Sequence, residues 1–214
     1  MGKLLNGPQG QVIGSVGNTV SYVVGGQNVI RAKAKKKKKL NKYSRAQKAN
    51  LHKMTVINAF FESILPILKV GFQNEAFGTR HNYHNLATSY NKKHALKGEY
   101  PNMEIDYPKV KISSGPLAMP LISSVALVPE GVEFNWTYSH YQPGAKAGDQ
   151  TVVLLFFPDL QQSLLFIYGN LRSSEKETIL LPEEYLSLRI EPYLFFTSGD
   201  RTLVSDSIYL GRIN

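Results

Sequence analysis

From residue 31 to residue 53 the sequence reads RAKAKKKKKLNKYSRAQKANLHK, in which eleven residues are Lys or Arg and none is Asp or Glu. Cations at this density suit one task, the neutralisation of a polyanion. Arg31, Lys33, Lys35, Lys36, Lys37, Lys38, Lys39, Lys42, Arg45, Lys48 and Lys53 are the candidate contacts. A lysine offers a point charge on a flexible stem, which suits phosphate neutralisation more than the reading of bases. The adjacent lysines 35–39 also repel one another, so the same run fits an extended, solvated connector. Tyr22 and Tyr43 are the aromatics nearest the lysines, too few for a stacking platform. The expected partner is therefore a nucleic acid or another polyanion, held through phosphates without sequence preference.

Other residue types with chemical potential form no convergent set. The chain has no cysteine, which excludes disulfides, thiolate metal sites and cysteine nucleophiles. It contains no Gly-rich phosphate loop ending in Lys-Ser or Lys-Thr, no His-Glu-x-x-His and no Gly-x-Ser-x-Gly. Gly14-Ser15-Val16-Gly17 reads as a hairpin turn, because no helix start follows it. His81 and His84 share a helical face, with His94 further along, but their helix supplies no acid and the chain no thiolate. They read as surface or helix-terminal groups. Glu183-Glu184 and the pair Glu175 and Glu177 read as solvated loop charges. His140 lies in an exposed loop with Tyr138 and Tyr141. A non-enzymatic protein without metal or cofactor is the expectation.

Charge is spread unevenly. Residues 1–61 carry twelve bases and no acid, whereas residues 105–214 carry eight bases and twelve acids, within a formal net charge of +9. A basic region attached to a mildly acidic body is the result. The first residues contain no apolar run of signal-peptide length, and Asn6 stands where myristoylation requires Ser or Thr. No segment reads as a membrane span. A cytoplasmic or particle-associated location is expected.

Three short β-rich runs, 11–16, 19–24 and 28–32, are separated by Gly17-Asn18 and Gly25-Gly26-Gln27, whose glycines supply the positive φ of tight hairpins. Ser44-Arg45-Ala46-Gln47 has the form of a capping box. The helix it starts would align Arg45, Lys48 and His52 on one face. Met54, Ile57, Phe61, Ile64 and Leu68 would form its apolar stripe, with Pro66 expected to kink or break it. A second helix is expected over 79–96, with Gly98 as C-cap and Lys92, Lys93 and Lys97 suiting the helix dipole. Strands are expected over 105–113, 121–128, 132–137, 151–157, 163–169, 177–181, 186–197 and 207–211, a spacing that argues for a β-sandwich. The fold class is mainly β, α+β overall. The domains are a basic N-terminal module, 1–104, and a β-sandwich, 105–214.

Two resemblances follow from particular stretches. From about residue 121 the chain resembles a fibronectin type III or immunoglobulin-like sandwich. Trp136 in VEFNWT matches the core tryptophan of such modules, and LSLRIEPYLFFTSGDRTLVSDSIYLG is similar to their last two strands. The whole chain also resembles a family of unknown function from Bacteroidota. The matching pieces are GSVGNTVSY (14–22), GQNVIR (26–31), the start at Ser44 with ILPILKVGF downstream, ATSYN (87–91) and YPNMEIDYPKVKISSGPL (100–117). That resemblance implies a basic N-terminal module followed by an immunoglobulin-like one, and it implies no activity. The lysine run is longer than is usual in that family. The front motif is also similar to short proteins among phage-like genes. A second functional expectation follows: a structural subunit of a larger particle or filament, or a homo-oligomer, in which the sandwich makes protein–protein contacts.

Overall fold

The computed structural model describes residues 3–4, 11–24, 26–35 and 43–214. They belong to two compact units, Met1–Ser44 and Arg45–Asn214.

The first unit is an antiparallel sheet of β1 (Lys3–Leu4), β2 (Val12–Val16), β3 (Thr19–Val24) and β4 (Gln27–Ala32), in that order. Gly17 (φ 54°) and Gly26 (φ 76°) take the left-handed conformations that the two tight turns require. Lys33 N donates to the Asn18 carbonyl at 2.7 Å and extends the β3–β4 ladder by one rung. Among the described residues of this unit Ser21 alone is buried, and Val16 and Ile30 are more than half exposed. A single small sheet has nothing of its own to cover its apolar side chains.

The second unit has three layers. Its helices are α1 (Arg45–Ala76), α2 (Tyr83–His94) and the short α3 (Glu183–Leu186). The central sheet has the order β10-β9-β12-β13, with β9 at Gln150–Phe157, β10 at Gln162–Phe166, β12 at Glu191–Thr197 and β13 at Ile208–Tyr209. The third layer is a sheet of order β11-β8-β7, from β7 (Ser123–Val128), β8 (Gly131–Trp136) and β11 (Lys176–Leu180). A two-strand ladder, β5 (Leu96–Lys97) with β6 (Glu104–Ile105), follows α2.

Alternation along β9 and β12 explains the layering. Val153, Leu155, Phe157, Leu194 and Phe196 face one way and pack on Val132, Phe134, Trp136 and Ile179 of the outer sheet. Val152, Leu154, Phe156, Tyr193 and Phe195 face the other way and pack on Ile57, Phe60, Phe61, Ile64 and Ile67 of α1. Each such buried side chain contributes about 1.5–3 kcal/mol of transfer free energy. A strand covered on both faces needs hydrophobes at successive positions, and VVLLFF and YLFF supply them.

This packing sets both long helices in one unit with the strands that follow 104/105. The compact units divide after Ser44, and both helices share a core with the central sheet because the α1 stripe is covered by β9 and β12. α1 starts at Arg45, as a Ser44 N-cap predicts, and continues through Pro66 to Ala76. Pro66 is exposed, so the carbonyl it leaves free, that of exposed Glu62, faces water, and the break expected there does not occur. By length and composition α1 is long and apolar enough to cross a membrane, contrary to the sequence reading, although 44% of its most apolar window is buried inside the protein.

Other boundaries shift for local reasons. α2 begins at Tyr83 because the Asn82 side chain accepts from Asn85 N at 2.7 Å. It ends at His94 with Ala95 as its C-cap, while Gly98 (φ 79°) turns the chain between β5 and β6. Of the strand expected over 105–113, only Glu104–Ile105 forms. Pro108 lies in a 3-10 turn, and the backbone beyond it bonds to side chains instead of a ladder. Buried Asn91 brackets Lys111, donating to its carbonyl at 2.8 Å and accepting from its amide at 2.9 Å. The strand expected from 186 starts at Glu191, because Pro182 sets the preceding residues into α3.

Candidate functional site

α2 returns antiparallel along α1, with the His84 ring edge-on to Phe61 at 5.7 Å. This places the N-terminal half of α1 beside α2. Residues 45–61 of α1 and the whole of α2 contain no acid. A groove of about 760 Å3 lies between them, lined by Asn50, Lys53 and Met54 from α1 and by His81, Asn85, Thr88, Ser89, Lys92 and Lys93. Lys53 and Lys92 are half-buried and Lys93 is exposed, so their stems pack on the helices while the ammonium groups reach solvent. None of Arg45, Lys48, Lys53, Lys92 and Lys93 forms an ion pair among the described residues.

Lys53 also lines a second depression of about 590 Å3 with Arg45, Ala46, Ala49, Gly98, Glu99, Tyr100 and Met103. His52 does not join Arg45 and Lys48 on a solvent face as the helical spacing suggested. It is half-buried, and its ring meets Tyr100 at 5.6 Å in an edge geometry. Tyr100 and His52 are thus aromatics beside the α1 cations that spacing along the chain did not reveal.

The eleven predicted contacts divide into three sets. Arg45, Lys48 and Lys53 lie on α1, and of these Arg45 and Lys53 line depressions. Arg31, Lys33 and Lys35 are exposed in the first unit, with the Arg31 guanidinium 5.6 Å from the Tyr22 ring centroid. Lys36, Lys37, Lys38, Lys39 and Lys42 lie outside the described residues. The groove adds Lys92 and Lys93, which helix-dipole complementarity had seemed to explain. The signal that could have found them was the antiparallel pairing of an acid-free helix with the acid-free first half of another across a short loop, which sets Lys92 and Lys93 opposite Asn50 and Lys53.

The remaining candidates have local roles. No three His, Asp or Glu side chains cluster at metal-binding distance among the described residues. Tyr138 Oη and His140 Nδ1 are 3.1 Å apart in an exposed loop. Glu177 and Glu175 are more than solvated charges. Glu177 accepts from the Thr151 hydroxyl at 2.9 Å and from Asn170 N, and Glu175 accepts from Tyr138 N at 2.6 Å.

The fold and this surface define a mainly-β α+β protein with a basic helical face. The chain belongs to a family of unknown function, DUF6266, whose model matches residues 8–211, across both units. No curated protein and no solved structure matches the chain.

Proposed function

We propose that this is a non-enzymatic binding protein whose basic surface holds a polyanion, nucleic-acid phosphates foremost, without sequence specificity. The observation that carries the reading is the acid-free α1–α2 face, where Lys53, Lys92 and Lys93 meet in one groove without an ion-pair partner among the described residues. Unpaired cations on a surface of one sign raise the local concentration of anions. Asn50, Asn85 and Ser89 between them are neutral donors suited to phosphate oxygens. The lysine-rich stretch 31–42 adds further charge to the same chain.

A second reading, an assembly subunit or homo-oligomer, is favoured by β7. This edge strand, SSVALV, carries no charge and no proline, and Leu127 within it and Leu121 and Ile122 just before it are exposed. Natural edges without such blocks can pair with another strand. Size-exclusion chromatography with light scattering, on protein stripped of nucleic acid by high salt, separates the two readings. A monomer that co-elutes with a short duplex at low salt and releases it at high salt supports polyanion binding. A large homo-oligomer indifferent to the duplex replaces it with the assembly reading.

A further inference from the structure

A cavity of about 650 Å3 opens between α1, the β5–β6 ladder and the end of β9, and it shares no lining residue with the two basic depressions. Its volume falls in the roughly 300–1,000 Å3 range of small-molecule sites. The apolar part comes from Val56, Ile105 and an aromatic cluster in which Phe60 meets Phe156 at 4.8 Å and Tyr107 meets Phe156 at 5.7 Å. Lys97, Arg189 and Arg212 also line it, against Glu104 as the one acid in the lining.

Both guanidinium groups are held from behind. Arg212 Nε donates at 2.8 Å to Glu191, which is fully buried and whose other oxygen accepts from the Tyr209 hydroxyl at 2.5 Å. Arg189 Nε donates to both oxygens of Asp159 at 3.1 Å, and its Nη2 also donates to Asp159, which leaves Nη1 and the outer N–H of Nη2 for a ligand. Neither Glu191 nor Asp159 lines the cavity, and no other partner holds the two guanidinium groups among the described residues. Removing a carboxylate from water is costly unless a partner is fixed beside it. Glu191 therefore fixes Arg212 in one orientation. Two positioned forks above an apolar floor match a planar carboxylate attached to a hydrophobic body.

We propose that this cavity binds a small organic monocarboxylate. The carboxylate takes the outward N–H groups of Arg212 and Arg189, and an apolar or aromatic body lies against Val56, Ile105 and the Phe60–Tyr107–Phe156 cluster. The site is independent of polyanion binding by the α1–α2 face.

The test uses 15N-labelled full-length protein titrated with 4-phenylbutyrate, and with 4-phenylbutan-1-ol as the uncharged counterpart. The acid is expected to move the Arg189 and Arg212 side-chain signals and to bind about tenfold tighter than the alcohol, the worth of charge-assisted hydrogen bonds. Ala59→Trp, placed on the exposed side of α1 to fill the cavity, removes binding. Arg189→Gln, at a half-exposed side chain whose loss leaves the core intact, weakens the acid by about tenfold and the alcohol little. Equal binding of acid and alcohol, unmoved arginine signals, or unchanged acid affinity in Arg189→Gln would overturn the proposal.

Discussion

Arg172 is the largest side chain of the second unit removed from solvent, and it joins three segments of that unit. Its Nε lies 3.0 Å from Asp149 Oδ2, its Nη2 donates to the Ala118 carbonyl at 2.7 Å, and its guanidinium stacks 3.8 Å from the Phe196 ring centroid. The Arg172 carbonyl accepts from the Trp136 indole at 2.7 Å. Burial pulls the guanidinium pKa down, and Asp149 opposes the shift. Asp149→Ala leaves that cation uncompensated, and urea unfolding should show a loss of about 3–5 kcal/mol. Asp200 acts at the surface. The Ser198 hydroxyl donates to it at 2.6 Å, and the Thr202 amide and hydroxyl donate at 3.1 and 2.8 Å, which holds its pKa down to about 2. A depressed folded pKa means a contribution present above the ordinary carboxylate range and lost as pH falls towards about 2. Melting temperature should fall over that window in the wild type and fall less in Asp200→Asn.

Among the elements, α1 depends on close approach at Gly71. A Cβ on Gly71 would lie 2.2 Å from the Ile112 carbonyl oxygen and 2.7 Å from Ser113 Cα, and the Gly71 carbonyl accepts from Ser114 N at 3.0 Å. Gly71→Ala gains about 1 kcal/mol of helix propensity but forces backbone apart, a cost at the upper end of about 1–3 kcal/mol. Its melting temperature should therefore drop by several degrees, and a stabilised variant would contradict the α1 packing. The stripe of α1 and many of the strands of the second unit were legible because their spacing records burial directly. The helical layer over the central sheet was not read, although it was written in β9 and β12. A strand with one covered face alternates, and VVLLFF does not, so both faces had to be covered. Pro66 misled because proline's cost depends on whether the freed carbonyl meets water, and exposure is a tertiary property. The extended stretch 110–113 misled because the Asn91 and Ser207 side chains supply the bonds that a neighbouring strand would have supplied.

For the molecule as a whole, charge separates by sequence region, and the functional reading rests on that separation. The twelve bases in residues 1–61 were plain in the sequence, but their grouping was not. Lys53 meets Lys92 and Lys93 only because α2 folds back along α1, whereas a linear reading assigned those two lysines to the helix terminus. The most direct test is the salt dependence of duplex DNA binding, followed by fluorescence anisotropy, for the wild type and for Lys53→Ala/Lys92→Ala/Lys93→Ala. If about six cations neutralise phosphates, the wild-type log–log slope should be about −5, and removal of three should reduce its magnitude by about 3. Affinity indifferent to salt, or an unchanged slope in the triple variant, would contradict the assignment of this face as the polyanion surface.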